Sequence, residues 1–451
     1  MSFTKRAVAL RIPNPSVASA SFISLKSIPA WSGSVATNVV NLAFGVATGV
    51  LAARLLGPHA RGELAEIQFW AGAIAGLGIC SLPSALSYYI ARGQGSGSMA
   101  GSALTSAVAL SALSLIGGLA LVAFAVGPEQ RNLQILYLLV FLPANFIALT
   151  LVAIDHGRQD FTRYNLFRLL PQATYLAGML VLWQQSALSV PTLLAASWLG
   201  TALVCAGRWR LIRPGAINLP RLSEMAALLK TGIEFHATAF AGILFQNADR
   251  VICITYFSHA DLGRYAVALA LSGAGLGVVS SATSIVIFPK LAAAQSFAAR
   301  RHLIRNALGA SCIVALIINA SIALAIPLLL PFLFGQDYAE AVPAAILLCI
   351  AQIPMCFVQT ATVALRALDD WRAGPYAQMA ALAVFVPSAA TLIPNLGLAG
   401  IAASLMLSQI AASALLLRRL QICIGLGVVQ CLTPEFRWIV DRLRWKSAWG
   451  R

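Results

Sequence analysis

The chain carries ionisable side chains inside a stretch that is otherwise apolar. Residues 232–257 contain Glu234 near one end and the neighbours Asp249 and Arg250 near the other. A charge at the centre of a bilayer costs about 2.5–3.5 kcal/mol on insertion scales, so a chain that keeps two there is expected to use them. Adjacent helical residues do not face each other, so Asp249 and Arg250 each need water or another partner. Asp249 and Arg250 could bind a charged ligand, or they could serve in structural pairing. Asp249 and Glu234 are also candidate groups for ion coupling, although interfacial solvation is the alternative explanation for Glu234.

Uncharged polar groups recur at helical spacing in other apolar runs. The first run has one stripe of polar and small residues: Ser34, Asn38, Asn41, Gly45, Thr48 and Ala52. Such a stripe should face the protein interior, either along a water-filled cavity or, through Gly45 and Gly49, against another helix. Gln246 precedes the charged pair, and Gln352 and Gln359 share a face of a later run. These amides could bind a sugar or join helices, and the sequence leaves both interpretations open.

Composition shows what surrounds these groups. The chain has 451 residues, of which 59% are hydrophobic and only 10% charged, and its mean hydropathy is +0.82. Soluble domains carry about 25% charged residues, so this protein must expose most of its surface to lipid. The net charge of +16 lies in the segments between apolar runs, which argues against nucleic acid as a partner.

We predict an all-α polytopic membrane protein with about 12 transmembrane helices. A bilayer core requires about 20 apolar residues per helix. The predicted spans are 33–53, 67–91, 103–126, 133–154, 166–184, 190–207, 232–257, 263–288, 303–330, 341–365, 374–393 and 397–417. With both termini in the cytoplasm, 26 of the 31 basic residues lie on the cytoplasmic side. The positive-inside rule therefore supports this topology.

Two segments of the chain repeat each other at a constant offset. Residues 56–65 and 257–266 are similar, and an offset of 201 aligns Gly62 with Gly263 and Gly76 with Gly277. The repeat predicts two pseudo-symmetric six-helix lobes, an arrangement typical of transporters. The predicted divisions are a cytoplasmic tail (1–32), a first lobe (33–207), a cytoplasmic linker (208–231), a second lobe (232–420) and a basic amphipathic cytoplasmic tail (421–451).

Signatures of catalysis are missing from the sequence. It has no glycine-rich phosphate loop and no loop large enough for a catalytic domain, so we expect neither an enzyme nor an ATP-driven pump. Asp369-Asp370 resembles a carboxylate pair for a metal, but Arg366 and Arg372 lie nearby in the same short loop. We predict no metal site and no cofactor.

Several motifs together resemble those of a known family. They are Arg54-Leu55-Leu56-Gly57-Pro58, Arg61-Gly62-Glu63-Leu64-Ala65, Asn247-Ala248-Asp249-Arg250 and Leu262-Gly263-Arg264-Tyr265-Ala266. They are similar to the polysaccharide-biosynthesis flippases, including those for O-antigen and exopolysaccharide, of the multidrug/oligosaccharidyl-lipid/polysaccharide exporter superfamily. The resemblance covers nearly the whole chain, although many relatives have fourteen helices and only twelve are predicted here.

The resemblance implies a V-shaped exporter fold around a central cavity. It implies a flippase that moves a lipid-linked oligosaccharide, on a polyprenyl diphosphate, across the bacterial inner membrane by alternating access. Arg250, with Arg54 at the cavity mouth, would bind the diphosphate, because an anionic headgroup needs cationic partners outside water. Asn and Gln side chains would bind the sugar. Membrane lipid, H⁺ or Na⁺ for coupling, and a polymerase are the further candidate partners.

Two other functions compete with this expectation. A cation-coupled multidrug antiporter of the same superfamily should have a cavity that favours cations, whereas a flippase for an anionic lipid should have a positive one. A membrane polysaccharide polymerase or ligase should have a large external loop with Arg and His, which this sequence lacks.

Overall fold

A computed structural model describes residues 28–211, 217–282 and 296–433, together with Leu291 and Ala294. Throughout these residues the regular structure is helical. The helices are α1 Ile28–Gly78, α2 Leu82–Ala91, α3 Gly97–Ala125, α4 Pro128–Gly157, α5 Phe161–Gln184, α6 Val190–Arg210, α7 Leu222–Tyr256, α8 His259–Ala282, α9 Phe297–Phe334, α10 Val342–Arg366, α11 Ala373–Leu396, α12 Leu398–Ile424 and α13 Val428–Leu432; a 3₁₀ helix, Gln336–Ala341, precedes α10.

The first two predicted spans are joined differently from the expectation. In place of a loop near residue 57, α1 continues through a kink at Gly57, whose φ of 75° and ψ of 172° are not helical. Pro58 follows at once and supplies no amide donor for the turn before it. The second span is instead interrupted at Cys80 and Ser81, whose φ angles are 48° and 51°, and α2 completes it. The helical periodicity of the apolar residues continues across Gly57 and across Cys80 and Ser81. The sequence pattern therefore did not predict the position of either break.

The number of membrane crossings agrees with the prediction. Within the described residues, nine helices are long and apolar enough to span a bilayer. One of them is α1. Its 51 residues span about 75 Å at 1.5 Å per residue, so α1 crosses the bilayer once before Gly57 and once after it. The more polar α7 and α8, of 35 and 24 residues, bring the number of crossings to twelve. The expected fold class, twelve transmembrane helices in two six-helix lobes, is confirmed.

Each lobe has a buried core of its own. One cluster consists mainly of apolar residues of α1–α6, among them Leu86, Leu138 and Phe146, and a second mainly of those of α7–α13, among them Phe385 and Leu416; Leu228 of α7 joins the first and Ala53 of α1 the second. Large apolar side chains elsewhere on the helices are exposed. Lipid is as apolar as these side chains, so close packing, rather than the hydrophobic effect, joins the helices.

The two lobes meet at the end predicted to face outward, through what we call the outer contact. There the residues after the α1 kink pack against the start of α8. His259 Nε2 lies 2.8 Å from Oε2 of Glu66, a carboxylate that is only 6% exposed, and the rings of His59 and His259 are 5.3 Å apart. The repeated motifs of the two lobes therefore touch each other.

A second interface, the inner contact, joins α7 to α2 and α3 near the end predicted to face the cytoplasm. Glu224 accepts hydrogen bonds from Ser98 at 2.8 Å and Ser102 at 3.0 Å. The hydroxyls of Tyr89 and Thr231 are 2.9 Å apart. These bonds join side chains of the first lobe to the first turns of the second.

The predicted divisions of the chain remain predictions, and the structure leaves parts of the two tails and of the linker undescribed. Residues 1–27 of the expected N-terminal tail, 212–216 of the linker and 434–451 of the C-terminal tail lie outside the described residues. The cytoplasmic location of both termini is likewise a prediction from charge alone.

Candidate functional site

Three adjoining chambers cross the molecule from one lobe to the other. The lobe-one chamber has a volume of about 360 Å³, the central chamber about 340 Å³ and the lobe-two chamber about 330 Å³. Arg61 and Gln68 line both the first and the second, whereas Arg250 and Leu269 line both the second and the third. The shared walls make the three chambers one polar path between the lobes.

The central chamber is lined by one cation from each lobe. Arg61 projects from α1 just after the kink, and Arg250 from the outer half of α7. Neither guanidinium forms a hydrogen bond or an ion pair within the described residues, and Arg61 Nε is buried without a partner. Guanidinium groups bind carboxylates and phosphates in bidentate fashion, so this arrangement can bind an anion between the lobes.

Asp249 precedes Arg250 in the sequence, and its carboxylate is hydrogen-bonded to a side chain of a different helix. Its carboxylate is 5% exposed, and Oδ2 accepts a hydrogen bond of 2.9 Å from the hydroxyl of Tyr265 on α8. Asp249 thus has a hydrogen-bond partner of its own on α8, although it lines the lobe-two chamber together with Arg250. Because Asp249 is largely covered, the charge exposed to the central chamber comes mainly from the two arginines.

Amide side chains line the lobe-two chamber. They come from three helices and are Gln246, Asn247, Gln352, Gln359 and Gln409. Gln409 is 2% exposed, and neither Oε1 nor Nε2 has a hydrogen-bond partner; Gln352 is 8% exposed with Oε1 unpaired. Amides offer both donors and acceptors, so the chamber can bind a neutral ligand that has hydroxyl groups.

Comparisons with known proteins agree with this architecture. The family model described as polysaccharide biosynthesis protein matches residues 133–343. No curated protein sequence matched the chain. Among solved structures, an inward-facing multidrug resistance MATE transporter of the MOP superfamily superimposes with a TM-score of 0.69 at 16% identity, covering 86% of this chain and 98% of that one.

Two further structures share the fold. The lipid II flippase MurJ in an inward closed conformation gives a TM-score of 0.72 at 14% identity, covering 90% of this chain and 89% of MurJ. An outward-facing MATE transporter gives 0.62 at 17% identity, covering 88% and 94%. This chain has the V-shaped exporter fold. The resemblance inferred from the motifs is thereby confirmed at the level of the fold, and the family model supports it over residues 133–343.

Half of the first helix's polar stripe lines a chamber. Gly45, Thr48 and Ala52 border the lobe-one chamber, and a Cβ built on Gly45 or Gly49 would have no atom within 4 Å. These two glycines therefore do not serve close helix packing. The side chain of Ser34 lies outside the described residues.

The fold brings five of the predicted site residues together. Gln246, Asp249, Arg250, Gln352 and Gln359 all line the lobe-two chamber. Arg54 lies elsewhere: its Nε donates to the carbonyl of Leu333 at 2.6 Å, and its Nη2 donates to that of Phe332, near the end of α9. Its guanidinium binds the free carbonyls of a helix C-terminus, which attract cations.

The remaining predicted residues line none of the three chambers. Asn38 Oδ1 accepts a hydrogen bond of 3.2 Å from Arg168, and Asn41 Oδ1 is buried without a partner. Glu234 is exposed on the inner half of α7. Roles for these residues in binding or ion coupling remain predictions.

Sequence reasoning missed two residues that stand out in the structure. Arg61 belongs to one of the motifs that carry the family resemblance, but nothing in its spacing shows that the α1 kink directs it inward. Gln409 had a usable signal, because it is an amide in the apolar run 397–417 and polar groups in spans usually face the protein interior.

Proposed function

We propose that this protein is a flippase that moves a lipid-linked oligosaccharide on a polyprenyl diphosphate across the bacterial inner membrane for polysaccharide biosynthesis. The family model that matches residues 133–343 supports the process, and the exporter fold supports transport between lobes. The headgroup would pass through the chambers while the prenyl chain stays in lipid.

One observation carries the proposal for an anionic substrate. Arg61 and Arg250 come from opposite lobes, line one chamber and have no hydrogen-bond or ion-pair partner among the described residues. A buried guanidinium nitrogen without an acceptor, such as Nε of Arg61, is costly, and a diphosphate between the two arginines would supply charge-assisted hydrogen bonds to both. Because one arginine belongs to each lobe, movement of the lobes would also change the distance between them.

A cation-coupled multidrug antiporter is the second candidate, supported by the similarity to MATE transporters and by a buried carboxylate, Asp249. A cationic drug in the central chamber would meet two guanidinium groups. Asp249 is covered and bonded to Tyr265, so it offsets them only in part. The sign of the exposed charge therefore favours the anionic lipid.

Transport by alternating access would require the outer and inner contacts to open in turn. The outer contact is formed in this structure, with His259 bonded to Glu66. The TM-score is higher to the inward-facing MATE transporter, 0.69, than to the outward-facing one, 0.62. Both observations support a state closed on the outer side. Exchange of H⁺ or Na⁺ at Asp249 or Glu234 would drive the change of state, and a polymerase would take the delivered lipid.

The decisive experiment measures translocation of fluorescent undecaprenyl diphosphate carrying one N-acetylglucosamine in proteoliposomes. Arg61→Ala and Arg250→Ala should each lower the rate by about tenfold or more, since each removes one charge-assisted contact of about 1.5–3 kcal/mol. Arg158→Ala is the matched control, because Arg158 is exposed at the end of α4 and lines no chamber. Wild-type rates in both arginine variants would refute the anionic site.

The same proteoliposomes test the antiporter. If the protein instead expels a cationic dye such as ethidium against a proton or sodium gradient and leaves the diphosphate lipid in place, the second candidate is correct. A flippase should show the reverse selectivity.

A further inference from the structure

We infer, on the basis of the proposed function, that the lobe-two chamber is a saccharide subsite. In it the side-chain amides of Gln352 and Gln409 bind hydroxyl groups of the sugar nearest the diphosphate. The subsite would let the protein distinguish a sugar-bearing lipid from the bare lipid diphosphate, which has the same charged groups.

Unpaired amide atoms are the first support. Both polar atoms of Gln409 and Oε1 of Gln352 lack a hydrogen-bond partner, and both side chains are more than nine-tenths buried. A buried polar group without a partner is costly to retain, and so such groups are rare in folded proteins. A ligand that has several hydroxyl groups would satisfy these atoms as donor and acceptor at once.

The position of the chamber is the second support. Arg250 and Leu269 line both the central and the lobe-two chambers. A diphosphate bound by Arg250 would therefore lie at the boundary of the lobe-two chamber, whose wall also includes Gln246 on α7. At about 330 Å³ the chamber is at the small end of ligand pockets, which suits a short saccharide portion rather than a long chain.

The lobe-one chamber differs in how its polar groups are used. Thr48 donates back to the carbonyl of Phe44 at 2.8 Å, and the Tyr137 hydroxyl lies 3.4 Å from that of Ser197. These groups already have partners, whereas both polar atoms of Gln409 and Oε1 of Gln352 across the interface do not. The unpaired amide atoms therefore favour the lobe-two chamber as the site that binds the sugar.

An uncharged ligand also fits the electrostatics of the lobe-two chamber better than a cation does. Asp249, the acidic residue in its wall, already accepts the Tyr265 hydroxyl, and Arg250 lines the same chamber. A cation would be repelled by that arginine at close range, whereas a sugar hydroxyl could accept a hydrogen bond from it.

The test compares lipids that differ only in the sugar. Affinity of the full-length protein in nanodiscs is measured for undecaprenyl diphosphate and for the same lipid carrying glucose, galactose or N-acetylglucosamine. Wild type should bind the best sugar-bearing lipid at least tenfold more tightly than the bare one. Gln352→Met with Gln409→Met, which keeps side-chain length and removes the amides, should lower that ratio by about tenfold.

Gln378→Met is the matched control, since Gln378 Oε1 is also buried without a partner but lines none of the three chambers. It should leave the ratio unchanged. The inference is overturned if no sugar improves binding to wild type, or if the double variant and the control have equal effects. Failure of the proposed function is a separate result, in which wild type binds neither the bare nor the sugar-bearing lipid.

Discussion

Gly62 and Gly263, 201 positions apart in the sequence, lie against each other's helix backbone where the lobes meet. A Cβ on Gly263 would lie 3.0 Å from Gly62 N and 2.1 Å from the Pro58 carbonyl oxygen, and a Cβ on Gly62 would lie 1.7 Å from the His259 carbonyl oxygen. No side chain fits at either position in this state. The glycines of the repeat therefore allow the outer contact to close.

Gly62→Ala should keep the outer contact from closing, because the new methyl group would overlap backbone rather than a movable side chain. Hydrogen–deuterium exchange of the amides in 257–263 should rise, and translocation should fall by about tenfold or more. Gly76→Ala is the control from the same repeat, since a Cβ there has no atom within 4 Å. If amide exchange of residues 257–263 is unchanged in Gly62→Ala, the resting protein does not depend on close approach of the helices at Gly62.

Arg54 and Arg250 should differ in what their loss affects. Arg54→Ala removes donors to the α9 carbonyls of Phe332 and Leu333, so it should weaken the packing of α1 on α9 and leave affinity for undecaprenyl diphosphate within about twofold of wild type. Arg250→Ala should lower that affinity by about tenfold or more. Affinity measured in nanodiscs checks both. A large loss of affinity in Arg54→Ala would instead support the expectation from sequence that Arg54 binds the diphosphate headgroup.

The ion pair between Asp155 and Arg208 should stabilise the first lobe. Arg208 donates two hydrogen bonds, of 2.6 and 2.7 Å, and the side chains are 1–2% exposed. Asp155→Ala would leave a buried guanidinium unpaired, which costs about 3–5 kcal/mol, and should lower the midpoint of thermal denaturation in detergent. Arg163→Ala, which breaks an exposed pair with Asp160, should change it little.

A double variant makes this stability prediction specific to charge. Asp155→Leu with Arg208→Met removes both charges and keeps much of the volume, so it should denature closer to wild type than Asp155→Ala does. Equal losses in the single and double variants would mean that packing, rather than the unpaired charge, sets the midpoint.

Asp249→Asn should separate substrate binding from ion coupling. The amide can still accept the Tyr265 hydroxyl but cannot exchange a proton or bind a cation through charge. We expect translocation that no longer responds to an imposed proton or sodium gradient, with affinity for the lipid retained. Glu234→Gln should keep the response, because Glu234 is exposed and lines no chamber. The opposite pattern would move the coupling role to Glu234.

Much of the architecture follows from the sequence alone. Apolar runs long enough for a bilayer predicted twelve crossings, since lipid requires each spanning segment to satisfy its backbone hydrogen bonds within itself. The repeat that includes Gly62 and Gly263 predicted two lobes. The cost of burying charge in lipid identified Asp249 and Arg250, and both line the chambers.

Only the tertiary structure decided which polar residues meet. Arg61 and Arg54 are both basic residues in the same outward segment, yet the backbone at Gly57 places one in the central chamber and leaves the other on the carbonyls of α9. Gln409 joins residues about 160 positions earlier in α7 because helix packing, which depends on the shapes of many side chains at once, brings α12 beside it. Spacing along one helix determines which face a residue occupies, but its partner depends on how the other helices pack.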